Sequence, residues 1–145
     1  MKVTVKVDGL RELDAALSQF TPTKRRAIGR KALDEAGEIT AKAARALAPR
    51  DTGGLAESID VSGTLSRAQR GEHVKAAEQE RFIGPDSRPQ GHLREFGGDG
   101  NPPQPFMRPA WDQTKTQVLD RIGDELWLGV ENAVTAAARK ALKAK

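Results

Sequence analysis

At 145 residues and 15.7 kDa, with 24 basic against 20 acidic side chains, the chain is sized for one domain spanning 1–145. It has no cysteine and only two histidines, His73 and His92. That excludes a disulfide frame, a thiolate metal site and a Cys nucleophile, and leaves zinc or imidazole chemistry poorly supplied, so no cofactor is expected. No apolar run approaches the roughly 20 residues of a membrane span, and Met1-Lys2-Val3-Thr4-Val5-Lys6 lacks a signal-peptide core. Synthesis in the cytosol, away from membrane, is the expectation.

The core is thin. Alanine supplies 21 residues, while Leu, Ile, Val and Phe together make up 29, and the mean hydropathy is −0.59. Either contacts with partners or other copies complete it, or the chain carries substantial disordered loops. The charge is uneven. Lys24, Arg25, Arg26, Arg30 and Lys31 form one basic run and Arg139, Lys140, Lys143 and Lys145 another, leaving the remainder net acidic. Such runs are most often solvated helix faces, although they are also candidate non-specific phosphate contacts on DNA.

In chain order, Val3, Val5 and Val7 alternate as in a half-buried strand. Asp8 is a candidate N-cap for a short helix carrying Leu10, Leu13, Leu17 and Phe20, closed by Thr21-Pro22. Thr23 then offers a cap for a second helix over about 23–47, with Ile28, Ala32, Ala36, Ile39, Ala43 and Leu47 on its apolar face and Pro49 beyond its end. Residues 55–64 read as a strand through Ile59 and Val61, 65–73 as a polar hairpin tip or disordered loop, and 74–83 as the returning strand. Residues 84–109 hold six of the eight prolines and five of the 14 glycines, yet embed Leu93, Phe96, Phe106 and Met107. A long loop with apolar anchors is more often functional than filler. Pro109 fits the first position of a final helix reaching about 142, with Trp111, Lys115, Val118, Leu119, Ile122, Leu126, Val130 and Val134 in step.

Asp51-Thr52-Gly53 matches the aspartic-protease triplet, whose chemistry needs two carboxylates sharing a proton. Here it follows Ala48-Pro49-Arg50 at a helix end instead of sitting in an apolar strand. A turn, with Asp51 capping and the glycines allowing positive φ, is the simpler reading. The 95–101 stretch lacks calcium-loop spacing, and phosphate-cradling and nucleophile-elbow motifs are missing.

Three blocks in order carry a resemblance: Ala48-Pro49-Arg50-Asp51-Thr52-Gly53-Gly54-Leu55-Ala56-Glu57-Ser58-Ile59, then His92-Leu93-Arg94-Glu95-Phe96-Gly97-Gly98, then Pro103-Gln104-Pro105-Phe106-Met107-Arg108-Pro109-Ala110-Trp111-Asp112. Together with the opening Val7-Asp8-Gly9-Leu10-Arg11-Glu12-Leu13, they resemble the tail-completion, or neck, proteins of long-tailed bacteriophages and prophages, over essentially the whole chain. Gly98 stands where that family often has Thr.

The resemblance implies a non-catalytic structural protein of the virion, made in the bacterial cytoplasm. It would sit at the head-proximal end of the tail as a homo-oligomeric ring, among other neck and tail proteins, and enable head–tail joining. Glu95, Phe96, Gly97, Pro105, Phe106, Arg108, Pro109 and Trp111 become the candidate docking residues. The expected fold is α+β: a small antiparallel sheet packed on a middle helix and a long C-terminal helix. The alternatives are a tail terminator or head–tail adaptor and, from another class, a small basic nucleic-acid-binding protein.

Overall fold

The structure is a computed structural model that describes residues 8–98 and 100–144. The expected Val3–Val7 strand lies outside them.

Two long helices form the frame. α1 (Leu10–Ser18) leads into α2 (Pro22–Leu47); a helical turn α3 (Gly54–Glu57) precedes β1 (Asp60–Ser62); α4 (Arg67–Glu72) precedes β2 (Phe82–Gly84); α5 (Gln90–Phe96) and α6 (Met107–Lys143) follow. α6 packs along α2, and the strands pair antiparallel with Val61 opposite Ile83 and lie on α2. The fold is therefore α+β, with, among the described residues, a two-stranded sheet on the middle helix and a long C-terminal helix beside it.

Small residues set the spacing of the frame. α2 buries Ile28, Ala32, Ala36, Gly37, Thr40, Ala41 and Ala44, and α6 buries Ala110, Thr114, Val118, Glu125, Val130 and Ala133. Thr40 and Thr114 meet at 2.8 Å inside the seam. The Thr114 hydroxyl donates to the Ala110 carbonyl at 2.7 Å, so Thr40 is the donor to Thr114. Further along, Gly129 faces Ile28 so closely that a Cβ would stand 2.5 Å from Cγ2. The main core cluster joins Ala41, Ala44, Ala48, Ile59, Phe106 and Ala110.

This seam corrects the expected helix faces. On α6, Val118 and Val130 are buried as expected, but Ala110, Thr114 and Ala133 join them in the seam while Trp111, Lys115 and Val134 are exposed. On α2, Leu47 is exposed too. Close approach of two backbones favours Ala, Thr and Gly at the contact and turns larger side chains outward.

Local chemistry corrects several boundaries. Gly9, in the left-handed region at φ 80°, takes the N-cap of α1 in place of Asp8. Thr21 caps α2 by accepting from the Lys24 N–H at 3.3 Å, with Pro22 at the first position, so Thr23 is not the cap. Residues 54–57 are a helical turn, and β1 begins only at Asp60. The expected polar loop holds α4, whose capping box is Ser66 with Gln69. The expected strand over 74–83 shrinks to Phe82–Gly84. The Glu80 carboxylate accepts from the Ala76 and Ala77 N–H groups, at 2.7 and 3.2 Å, and so curls residues 76–80 away from pairing. Pro109 is the third residue of α6, which starts at Met107.

Candidate docking surface

Glu95 organises the Pro/Gly segment. It lies on α5 and is 5% exposed. Its carboxylate accepts from the backbone N–H groups of Phe106 (2.8 Å), Met107 (2.9 Å) and Arg108 (3.1 Å), and from Arg108 Nε at 3.0 Å. The start of a helix leaves four N–H groups without intrahelical partners. Here three are held by one carboxylate and the fourth residue is Pro109, which has none. The negative charge also suits the positive end of the helix dipole. Burial alone would push the Glu95 carboxyl up, but the three backbone donors and the Arg108 guanidinium outweigh it and hold it below the ordinary glutamate value.

Other ties fix the segment. Gly97 adopts φ 78°, and a Cβ there would stand 3.0 Å from the Asn101 carbonyl. That turn needs glycine both for its backbone angle and for space. Gly98 and Asn101 exchange backbone hydrogen bonds, and the Gln104 N–H donates to the Arg94 carbonyl at 2.7 Å. The Arg94 guanidinium pairs with Asp51, which joins the segment to the turn after α2. Phe106, fully buried, pins it from inside.

On this scaffold stand exposed apolar side chains. Leu93 is 45% and Phe96 58% exposed. The His92 ring lies 4.9 Å from that of Phe96, and the Arg108 guanidinium sits 5.0 Å over the same ring. Pro102, Pro103 and Pro105 are exposed beside them. A fixed backbone carrying a solvent-facing aromatic clasped by an arginine is suited to protein contact.

The candidate residues thus divide. Phe96, Pro105, Arg108 and Trp111 lie on the surface. Gly97 and Pro109 shape the backbone there. Glu95 and Phe106 are internal, so they are supports of the surface and not part of it. Asp51 was expected to cap its own turn; instead its exposed carboxylate pairs with Arg94, while Gly53 takes φ 80° ahead of α3 and Thr52 is exposed. Leu93 and Arg94 stand outside the expected docking set; Leu93 is marked in the sequence as an apolar anchor of the Pro/Gly segment, and Arg94 only by its place inside the second block.

The basic run does not form one patch. Lys24, Arg25, Arg26, Arg30 and Lys31 are all exposed on α2. However, Lys24 and Lys31 flank the α2–α6 groove, while Arg26 and Arg30 border a depression with Lys75 and Glu78, and Arg26 pairs with Glu78 at 2.7 Å. Among the described residues no group of His, Asp and Glu is arranged to hold a metal ion, and no helix is long and apolar enough to cross a membrane.

A profile of the family described as "Bacteriophage HK97-gp10, putative tail-component" matches residues 11–97, from α1 through the turn after α5. The chain belongs to the HK97-gp10-like family. It is a family of bacteriophage tail components, and that coarse role extends to this member. The matched span holds the first sequence block and the second through Gly97, Glu95 included, whereas the third block and α6 lie beyond it. The curated proteins and the solved structures gave no match.

Proposed function

We propose that this tail component is a tail-completion or neck subunit, which works as an oligomer without catalysis at the head-proximal end of the tail and makes the tail competent to join a filled head. The observation that carries the reading is the Leu93–Phe96–Arg108 surface, exposed yet held rigid by Glu95 on a chain of a phage tail family. The Ala-rich helices and thin core also suit a subunit completed by its neighbours.

The test is a deletion of the gene in the phage or prophage that encodes it. Filled heads and tail tubes are expected to accumulate unjoined, and purified protein added to the lysate is expected to restore infectivity. Removing the whole 92–108 segment would also remove Glu95 and Phe106 and unfold the chain. The informative variants are therefore Leu93→Asp and Phe96→Asp, which are expected to fold and to fail in rescue. Infectious particles from the deletion strain would overturn the assignment, and empty heads would move it to DNA packaging.

A further inference from the structure

α6 is too long for its partner. At 1.5 Å per residue its 37 residues extend about 55 Å, whereas the 26 residues of α2 extend about 39 Å. The helices run antiparallel, with Thr40 beside Thr114 and Ile28 beside Gly129. α2 therefore runs out near residue 134 of α6. From Val134 to Ala144 every residue is exposed, with Val134 at 55% and Leu142 at 75%. Val134, Ala138, Ala141 and Leu142 share one face, and Arg139, Lys140 and Lys143 occupy the rest of the circumference. α1 also contacts α6, yet no residue from 134 to 144 is buried, so this end is an amphipathic, basic plug whose apolar face is left open among the described residues.

The opposite end of the same helix borders a groove of about 1000 Å³ between the sheet and the first turns of α6. Its apolar lining includes Phe82, Ile83 and Trp111, the last 46% exposed. Asp60, Asp86 and Asp112 also line it; Arg88 holds Asp86 at 2.8 Å, whereas Asp60 and Asp112, 80% and 70% exposed, lie only 4.0 and 3.5 Å from Arg45 and Lys115 and keep most of their carboxylate surface open. The two arginines in the lining are engaged elsewhere, Arg81 with Asp34 and Arg108 with Glu95. The last two turns of this end, which carry Ala138, Ala141 and Leu142, fill roughly 900 Å³, a cylinder about 10 Å across and about 11 Å long. Size, an apolar floor and the loosely held Asp60 and Asp112 complement the plug.

We infer that the 134–144 end of α6 in one copy docks into the Trp111 groove of the next copy. The chain cannot plug itself, because an unbroken helix keeps Trp111 and Leu142 about 46 Å apart. Plug and groove on opposite ends of one molecule make a heterologous contact, which propagates head to tail and closes into a ring when the rotation permits. The inference deepens the assembly reading above by naming both sides of the subunit interface.

The chain has no cysteine, so introduced ones report cleanly. Full-length Ser87→Cys, at the groove, and full-length Leu142→Cys, on the plug, are mixed and oxidised gently. A Ser87–Leu142 disulfide dimer is expected to dominate over the product of Leu142→Cys with the exposed control Lys42→Cys. It should be lost in high salt and on charge reversal by Lys140→Glu with Lys143→Glu. A peptide of residues 134–145 is expected to suppress the link. Suppression by a peptide of residues 1–8 alone would assign the groove to the N-terminal segment and overturn the inference. So would a purely Leu142–Leu142 dimer, or the absence of any link at high protein concentration. Should the link fail while the protein still rescues head–tail joining, the inference falls and the functional reading stands. Should the link form while the deletion leaves joining intact, the functional reading falls and the interface stands.

Discussion

The Glu95 carboxylate holds the backbone N–H of Phe106 at 2.8 Å, eleven residues downstream, and so fixes where the last helix begins. α6 has no side-chain cap of its own. Its N-terminal donors depend on a carboxylate from another helix, which makes the surface around Phe96 and the α2–α6 seam parts of one unit.

Removing that carboxylate should therefore be costly. Glu95→Ala leaves three helix N–H groups and Arg108 Nε without their acceptor, and about 3–5 kcal/mol of stability is expected to be lost, chiefly from the backbone donors. Glu95→Gln keeps an oxygen able to accept two of the bonds and should cost about 1–3 kcal/mol. The pH dependence has a definite sign. Because the folded pKa is depressed, the contribution is fully present above the unfolded glutamate value of about 4.3 and is lost as pH falls through the lower folded value. Urea denaturation at neutral pH and again below pH 4 should show the gap between wild type and Glu95→Gln narrowing on acidification. An unchanged gap would rule out the charged cap.

Phe106 is fully buried among Ala41, Ala44 and Ala48, neighbours too small to close over a void. Phe106→Ala should cost about 3–5 kcal/mol, and Phe106→Leu clearly less. Equal losses would indicate that the site collapses around either residue.

Much of the helical frame was legible in the sequence, because α1, α2 and α6 repeat apolar residues at helical spacing. What misled was the choice of face: the seam prefers Ala110 and Thr114, while the larger Trp111 beside them draws the eye. The capping box Ser66-Arg67-Ala68-Gln69 was visible and marks α4, but a polar, unpatterned stretch reads as loop when caps are not weighed. Two carboxylates account for most of the remaining differences. Glu80 turns an expected strand into a curled loop, and Glu95 is internal although it sits in a segment of prolines and glycines. Neither role leaves a local sequence signature, since each depends on backbone donors brought in by the fold.

Asp51 sits in the turn after α2 and not in a strand. Its partner is the Arg94 guanidinium, and both side chains are substantially exposed. Asp51→Asn should cost at most about 1 kcal/mol and leave joining activity intact. Incubation of the wild-type protein with peptide libraries at acid pH should yield no products. Cleavage abolished by Asp51→Asn would reverse that reading.

The split of the basic run sets an expectation for DNA. With Lys24 and Lys31 flanking one groove and Arg26 and Arg30 bordering another depression, a duplex can meet only part of the set at once. Binding by the isolated chain should be weak and indifferent to sequence, with a log–log salt slope of roughly −2 to −3, corresponding to two or three phosphates. Fluorescence anisotropy with two unrelated duplexes at several salt concentrations measures it. Discrimination between the duplexes would require a reading surface elsewhere.

Gly123 and Gly129 both weaken α6 by propensity, yet they should respond oppositely to alanine. Nothing stands within 4 Å of a Cβ at Gly123, so Gly123→Ala should gain about 0.5–1 kcal/mol from helix propensity alone. At Gly129 the new Cβ would lie 2.5 Å from Ile28 Cγ2, 3.3 Å from Cγ1 and 3.4 Å from Cβ. These atoms belong to a β-branched stem next to the α2 backbone and have little freedom to yield. Overpacking of about 1–3 kcal/mol then exceeds the propensity gain, and Gly129→Ala should destabilise by about 1 kcal/mol. In an Ile28→Val background both Cγ atoms remain and the penalty should persist, whereas in an Ile28→Ala background the clash is gone and Gly129→Ala should no longer destabilise relative to Ile28→Ala alone. If Gly129→Ala stabilised the chain as much as Gly123→Ala does, the close approach of α2 and α6 at this end would be wrong.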